Sequence, residues 1–178
     1  KQSNILFSLV LCVLFSGIAF AGETYQGTLE FALEDLQISS NQYLDILTFH
    51  EGGFTDQVGA PSLPTKQINI ALPPGAEVQA VQILSAKFEM LEGSFDVMPV
   101  TQPTPCSAVP QQNPFQFDDS VYGRNQRYPG EQVKVRGSWD HYGQAFVTLE
   151  FFPVQYNPVT GKVYLARQID FEVQYDVT

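Results

Sequence analysis

The sequence predicts an all-β fold, an antiparallel two-sheet β-sandwich of the immunoglobulin-like or jelly-roll-like kind. Short runs rich in Val, Ile, Phe, Tyr and Thr are separated by clusters of Pro and Gly. No segment after residue 22 shows the apolar period of a long helix. About eight strands without crossover helices are typical of two packed antiparallel sheets.

The N-terminal segment is predicted to lie outside this fold. Lys1 supplies a positive charge, residues 5–19 are apolar, and Ala19-Phe20-Ala21 is a small-x-small cleavage site. The apolar run is too short for a membrane-spanning helix, which needs about 20 residues. We therefore expect a signal peptide over residues 1–21, one β-sandwich domain over residues 22–178, and a secreted protein (extracellular, periplasmic or at the cell surface).

Five strands are predicted in the first half of the domain, over residues 24–31, 33–39, 43–49, 65–72 and 77–91. Residues 33–36 could instead form a short helical turn.

The C-terminal part has the clearest strand pattern. In residues 163–177 the odd positions are apolar except Arg167, and the even positions are largely polar, which is typical of a half-buried strand. Residues 144–156 form the preceding strand, in which Pro153 should mark a bulge or an edge because it donates no ladder hydrogen bond. Residues 157–162 contain Asn, Pro and Gly and predict a hairpin turn. The predicted core comprises Leu149, Phe151, Leu165, Ile169, Phe171 and Val173.

Residues 99–129 differ from the rest, because six prolines interrupt any alternation. We expect a long excursion across the surface. Long loops in compact domains are often functional, although this one could also be a plain connection between the two halves.

The charge balance excludes several kinds of partner. The chain carries 9 basic and 19 acidic residues, a net charge of −10, and loss of Lys1 would make it more negative still. So acidic a protein is a poor match for nucleic acid phosphates or for an anionic membrane. We expect no nucleic acid partner, and no membrane association after signal cleavage.

The sequence contains no recognisable catalytic or metal-binding pattern. Cys106 would remain as the one cysteine of the processed chain, so no internal disulfide is expected, and no helix follows it to lower its pKa. His50 and His141 stand far apart without other ligands at zinc spacing. Trp139 and Tyr142 could form a sugar-stacking platform, or they could be buried beside a strand end. We expect no metal, no cofactor and no enzymatic activity in this chain.

Two parts of the sequence resemble those of a known protein family. They are residues 59–64 with 68–76 (Gly-Ala-Pro-Ser-Leu-Pro and Ile-Asn-Ile-Ala-Leu-Pro-Pro-Gly-Ala) and residues 128–130 with 151–162 (Tyr-Pro-Gly and Phe-Phe-Pro-Val-Gln-Tyr-Asn-Pro-Val-Thr-Gly-Lys). Both resemble the propeptides of gingipain-type (family C25) cysteine peptidases. The resemblance spans roughly residues 25–178.

The resemblance implies an N-terminal prodomain of a secreted cysteine peptidase precursor. Such a prodomain acts as an intramolecular inhibitor and folding aid for the catalytic domain that follows it, and that domain carries the catalytic Cys and His. The alternative is a β-sandwich adhesion or carbohydrate-binding module of a larger bacterial surface protein.

The inhibitory loop is predicted at residues 118–130, where Arg124 or Arg127, next to Tyr128, would block the peptidase cleft. Half of the basic residues left after signal cleavage lie between positions 124 and 136. They could present arginine to an acidic pocket, or they could form a locally basic strand.

Overall fold

The computed structural model describes residues 22–41, 43–103 and 115–177, and the predicted signal peptide and Cys106 lie outside these ranges. The described residues form mostly antiparallel sheets with almost no helix, so the predicted all-β class is confirmed. In chain order the strands are β1 (Glu23–Glu30), β2 (Leu36–Asn41), β3 (Leu44–Phe49), β4 (Gly53–Phe54), β5 (Pro64–Leu72), β6 (Ala76–Met90), β7 (Val133–His141), β8 (Gln144–Phe151), β9 (Val154–Asn157) and β10 (Lys162–Val177). A 3-10 turn (Leu33–Asp35) precedes β2, and a short helix α1 (Asp119–Tyr122) precedes β7.

The first sheet is built around β10, which pairs antiparallel with three strands. β6 covers one edge of β10 along nearly its whole length, and β9 and β1 share the other edge. The odd-numbered apolar residues of β10 are buried from Val163 to Tyr175, with Arg167 as the exception. The predicted alternation is therefore confirmed.

The second sheet has the strand order β4-β5-β8-β7, again antiparallel, and β2 and β3 form a separate two-stranded hairpin. β8 leads through Phe152 and Pro153 into β9, so the chain passes here from the second sheet to the first. The predicted strand over residues 144–156 is thus two strands. The interruption falls at Pro153, as expected from its missing N–H group.

Side chains of both sheets contribute to one core. Phe151 of β8 contacts Phe171 of β10 with the ring centroids 4.9 Å apart. All six predicted core residues are buried, none of them more than 1% exposed. The predicted core is confirmed.

Two details of the prediction need correction. Residues 33–35 form the 3-10 turn, and β2 starts only at Leu36, so the helical alternative is correct for that part. β7 is absent from the strands assigned above, and only the alternative of a locally basic strand near residues 124–136 anticipated part of it. Its residues are exposed except for Val133, and charged residues and Gly137 interrupt its apolar positions, so the sequence lacks the alternation of a half-buried strand.

The turn between β9 and β10 has the predicted conformation. Gly161 adopts a φ of 63°, which glycine tolerates without strain. The Asn157 side-chain oxygen accepts hydrogen bonds from the backbone N–H groups of Val159 and Thr160. The turn thereby closes on an asparagine at its start and a glycine at its end.

Candidate functional site

The candidate site is the segment of residues 118–130, which we call the loop segment. It begins with α1, whose N-terminus is capped by Asp118: the carboxylate accepts a hydrogen bond from the Ser120 N–H at 2.9 Å. This hydrogen bond lowers the pKa of Asp118. Beyond α1 the chain continues as a loop to Gly130, shortly before β7.

Strand β9 holds the C-terminal end of the loop segment. Tyr128 and Tyr156 exchange two backbone hydrogen bonds, of 2.7 and 2.9 Å. The Gln155 side chain is 2% exposed and accepts a hydrogen bond from the Gly130 N–H at 2.9 Å. Its amide nitrogen donates to the backbone oxygens of Glu131 and Phe152. Buried polar groups with this many partners fix the backbone that they bind.

Two further side chains hold the middle of the loop segment. Asn157, at the end of β9, donates from its amide to the side-chain oxygen of Asn125 at 2.9 Å. The Tyr122 hydroxyl donates to the backbone oxygen of Val97 at 2.8 Å. Burial of this phenol raises the pKa of Tyr122 well above its ordinary value.

The N-terminal end is held by Gly59, in one of the stretches that carry the resemblance. The Gly59 oxygen accepts from the Asp118 N–H, and the Gly59 N–H donates to the oxygen of Val100. Gly59 has a φ of 84°, a conformation that strains other residues. Both described flanks of the Pro-rich excursion therefore attach to the same residue.

The three predicted site residues lie in different surroundings. Arg124 is exposed. Arg127 is also exposed, but its guanidinium carbon lies 3.8 Å from the ring centroid of Tyr164 and 5.6 Å from that of Phe88. Tyr128 is half-buried, and this burial raises its pKa to about 12. Arg124 is thus exposed to solvent, and Arg127 stacks on Tyr164 of the first sheet. Tyr128 is fixed by its backbone hydrogen bonds to Tyr156 of β9.

The four basic residues between positions 124 and 136, which we call the basic cluster, lie in different surroundings (Arg124, Arg127, Lys134 and Arg136). Arg136 of β7 forms an ion pair with Glu150, whose side chain is nearly fully buried, and a second one with Asp56. Glu150 also accepts hydrogen bonds from Thr65 and Gln67. A buried carboxylate needs such partners, so Arg136 has a structural role. For Arg136, which lies on β7, the alternative of a locally basic strand is therefore the correct one.

The sequence did not identify the anchoring residues Gln155, Asn157 and Tyr122. In the sequence Gln155 and Asn157 alternate with Val154 and Tyr156, which is typical of the solvent face of a strand, and only the structure shows that all four positions are buried. No group of His, Cys, Asp or Glu among the described residues could hold a metal ion. Residues 118–130 thus form a loop that is fixed by hydrogen bonds to the rest of the domain and carries the exposed side chains of Arg124 and Arg127.

Comparison with known proteins places this geometry in context. The Propeptide_C25 family model matches residues 27–178. Gingipain R1 of Porphyromonas gingivalis is 25% identical over 197 aligned positions, which cover 97% of this chain and 19% of the relative. A second Gingipain R1, from the strain ATCC 33277, is also 25% identical, and the match covers 96% of this chain and 11% of that relative. The chain spans a fifth or less of the length of these curated relatives.

Two solved structures have a similar fold. A complex of Porphyromonas gingivalis RgpB pro- and mature domains matches with a TM-score of 0.71 at 22% identity, covering 87% of this chain and 78% of that one. A structure described as giving insight into zymogenic latency of gingipain K from the same organism matches with a TM-score of 0.65 at 19% identity, covering 86% and 100%. At these identities the likeness shows the fold alone.

Proposed function

This chain belongs to the Propeptide_C25 family, and from that premise we propose that it is the N-terminal prodomain of a secreted gingipain-like cysteine peptidase precursor. Its partner is the catalytic domain of the same precursor, which it inhibits and helps to fold. The chain contributes no catalytic group of its own. The catalytic Cys and His belong to the domain that follows.

One observation carries this proposal: residues 123–127 of the loop segment are exposed to solvent, while hydrogen bonds fix the segment at Asp118, at Asn125 and at residues 128–130. Gly59 holds Asp118, Asn157 holds Asn125, and Gln155 with Tyr156 holds residues 128–130. A loop already fixed in its bound conformation loses little conformational entropy when it enters a cleft. Such rigidity is what an inhibitor of a folded peptidase requires.

Arg124 is the first candidate for the group that enters the peptidase's specificity pocket. Its side chain is exposed, and a planar guanidinium can form bidentate hydrogen bonds with a pocket carboxylate. Arg127 is the second candidate, because it would first have to leave the ring of Tyr164, at a cost of about 0.5–1 kcal/mol for an exposed stack. Tyr128 would position both arginines through its pairing with Tyr156.

We also propose that the two sheets are the layers of a β-sandwich. The contact between Phe151 and Phe171 and the burial of Leu149 and Val173 on the two sheets support this arrangement. The sandwich then serves as the rigid body from which the loop segment projects.

The test is an inhibition titration of the mature peptidase of the precursor with this chain and with its Arg124→Ala and Arg127→Ala variants. Truncating a buried interfacial charge typically costs about 2–5 kcal/mol, so the responsible variant should inhibit roughly 30-fold more weakly or worse. Arg167→Ala is the matched control, since Arg167 lies on β10 outside the loop segment and pairs only loosely with Glu89, at 3.6 Å. If both loop variants inhibit as tightly as the parent, another surface is responsible.

Export is tested separately. We propose that residues 1–21 direct secretion and are removed. N-terminal sequencing of the protein recovered outside the cytoplasm should then begin at Gly22. A secreted form that still carries Lys1 would contradict the proposed cleavage. No helix in the described ranges combines the length and the apolarity needed to cross a membrane.

A further inference from the structure

Four rings follow one another along the β7–β8 hairpin, and we call them the aromatic strip. Phe146 of β8 stacks on Trp139 of β7 with ring centroids 4.3 Å apart and planes within 9° of parallel. His141 lies 6.2 Å from Trp139, and Tyr142 lies 4.5 Å from His141, both edge to face. The strip therefore runs from the surface of the second sheet to the tip of the hairpin.

The position of Tyr142 is costly for the backbone. Tyr142 and Gly143 form the two-residue turn with φ values of 52° and 82°. This turn strongly favours Asn or Gly at its first position, because other residues are strained there. Tyr142 is also 96% exposed, so packing within the domain does not account for the ring. Backbone strain together with full exposure points to a function for the side chain.

Trp139 offers an aromatic face beside polar groups. Phe146 covers one face of the indole, yet Trp139 remains 45% exposed on the edge strand of its sheet. Its Nε1 donates to the Thr148 hydroxyl, which in turn donates to the side-chain oxygen of Asn69. Gly137, paired with Thr148, leaves open space where a side chain would otherwise stand. An aromatic face, a hydroxyl and an amide thus border one open area.

The strip lies away from the loop segment. The loop segment joins β7 at Val133, which pairs with Phe151, whereas the strip lies towards the other end of the hairpin, where His141 pairs with Gln144. β8 has eight residues, so these two ends are separated by roughly 20–25 Å. The strip therefore lies at the opposite end of the hairpin from the loop segment.

We propose that the aromatic strip binds a neutral oligosaccharide. The C–H groups of a sugar ring carry partial positive charge and pack against the negative face of an aromatic ring. The sugar hydroxyls would bond to Thr148, Asn69, His141 and Tyr142, which all carry hydrogen-bonding groups. A neutral sugar fits better than a sulfated or phosphorylated one, because the chain has a net charge of −10. This activity does not depend on the proposed inhibition of a peptidase.

The experiment uses the single tryptophan of the chain, Trp139, as its reporter. The full chain is titrated with cellohexaose, chitohexaose and mannohexaose, and then screened on an array of neutral glycans, with Trp fluorescence and calorimetry as readouts. At least one of these sugars should give a saturable fluorescence change. Tyr142→Asn should weaken its binding roughly tenfold, since an aromatic contact is lost. The same variant should keep or raise the melting temperature, because Asn suits the turn.

Tyr43→Ala is the matched control, because Tyr43 is 84% exposed in the β2–β3 hairpin, outside the strip. It should bind the sugar as the parent does. The proposal is overturned if no neutral glycan gives a saturable response, or if Tyr142→Asn binds with unchanged affinity. It is also overturned if Tyr142→Asn weakens peptidase inhibition without affecting sugar binding, because the strip would then be a protein contact.

Discussion

At the scale of single residues, Gly27 and Phe171 show how tightly the first sheet is packed. They are direct partners across the β1–β10 pair. A Cβ atom added at Gly27 would lie 2.6 Å from Cζ of Phe171, a ring that is 1% exposed. A buried ring surrounded by close neighbours cannot move aside without disturbing them.

We therefore expect Gly27→Ala to destabilise the domain by about 1–3 kcal/mol through overpacking. Urea unfolding measures the change. Gly137→Ala is the control, because its added Cβ would meet nothing within 4 Å. That variant should be neutral or slightly stabilising, since alanine restricts the unfolded chain. Equal stability of the Gly27→Ala variant and the parent would mean that Phe171 has room to shift.

Asp170 is the residue whose protonation at low pH we expect to lower the stability of the fold most clearly. Its carboxylate accepts hydrogen bonds from the hydroxyls of Ser85 and Thr28 and from the amide of Gln168. These bonds, that of Ser85 first, lower its pKa from 3.8 to about 2. The charged form is favoured in the folded state, so this stabilisation is present above about pH 4 and is lost as the pH falls through about 2.

Asp170→Asn should consequently lower the melting temperature at pH 6, and the difference from the parent should shrink between pH 4 and pH 2. Asparagine keeps the size of the side chain but does not titrate in this range. Thermal melts at pH 6, 4, 3 and 2 provide the measurement. A difference that stays constant over this range would show that the charge of Asp170 is not responsible.

At the scale of elements, β9 has an importance out of proportion to its four residues. All four are buried. One strand thus pairs with β10, holds Tyr128 through Tyr156, and binds Gly130 through Gln155. The C-terminal end of the loop segment depends on this strand, whereas its N-terminal end is held by α1 and by the hydrogen bond from Asp118 to Gly59.

Gln155→Ala should loosen the C-terminal end of the loop segment. The change removes the hydrogen bond to the Gly130 N–H and leaves the oxygen of the buried Phe152 without its Gln155 partner, and a buried group that loses its partner costs about 1–3 kcal/mol. Amide hydrogen exchange at Gly130 should rise. Gln82→Ala is the control, since Gln82 bonds the exposed face of β10 through Glu172. Unchanged protection of Gly130 in the Gln155 variant would place the anchor elsewhere.

At the scale of the whole molecule, the two sheets depend on a common core. The chain passes from one sheet to the other at Phe152 and Pro153, and Phe151 and Phe171 meet between them. Neither sheet can separate without exposing the apolar face of the other. Domains of this kind unfold in a single cooperative transition.

Urea unfolding followed by Trp139 fluorescence should therefore coincide with unfolding followed by far-ultraviolet circular dichroism. Trp139 reports on the second sheet, while circular dichroism reports on the strands of both. An earlier transition in fluorescence alone would show that the second sheet unfolds as an independent unit.

The sequence by itself determined the all-β class, the buried face of β10 and the turn at Gly161. These features depend on local chemistry. Alternating apolar residues such as Ile169 and Phe171 can bury only one face of a strand, and glycine permits a positive φ. The interruption at Pro153 is of the same kind, because a missing N–H group breaks the ladder wherever it occurs.

Only the tertiary structure decided which residues hold the loop segment and how the basic cluster is divided. Gln155 and Gly130, like Asn157 and Asn125, are far apart in the chain and become partners only when β9 is in place. Arg136 is tied to Glu150, whereas Arg124 is exposed, and no local pattern distinguishes the two. Strand β7 also has no alternation to reveal it, because it is an edge strand exposed along most of its length. Contacts between residues far apart in the chain decide these partners and the pairing of β7, and the local sequence pattern does not show which distant residues will meet.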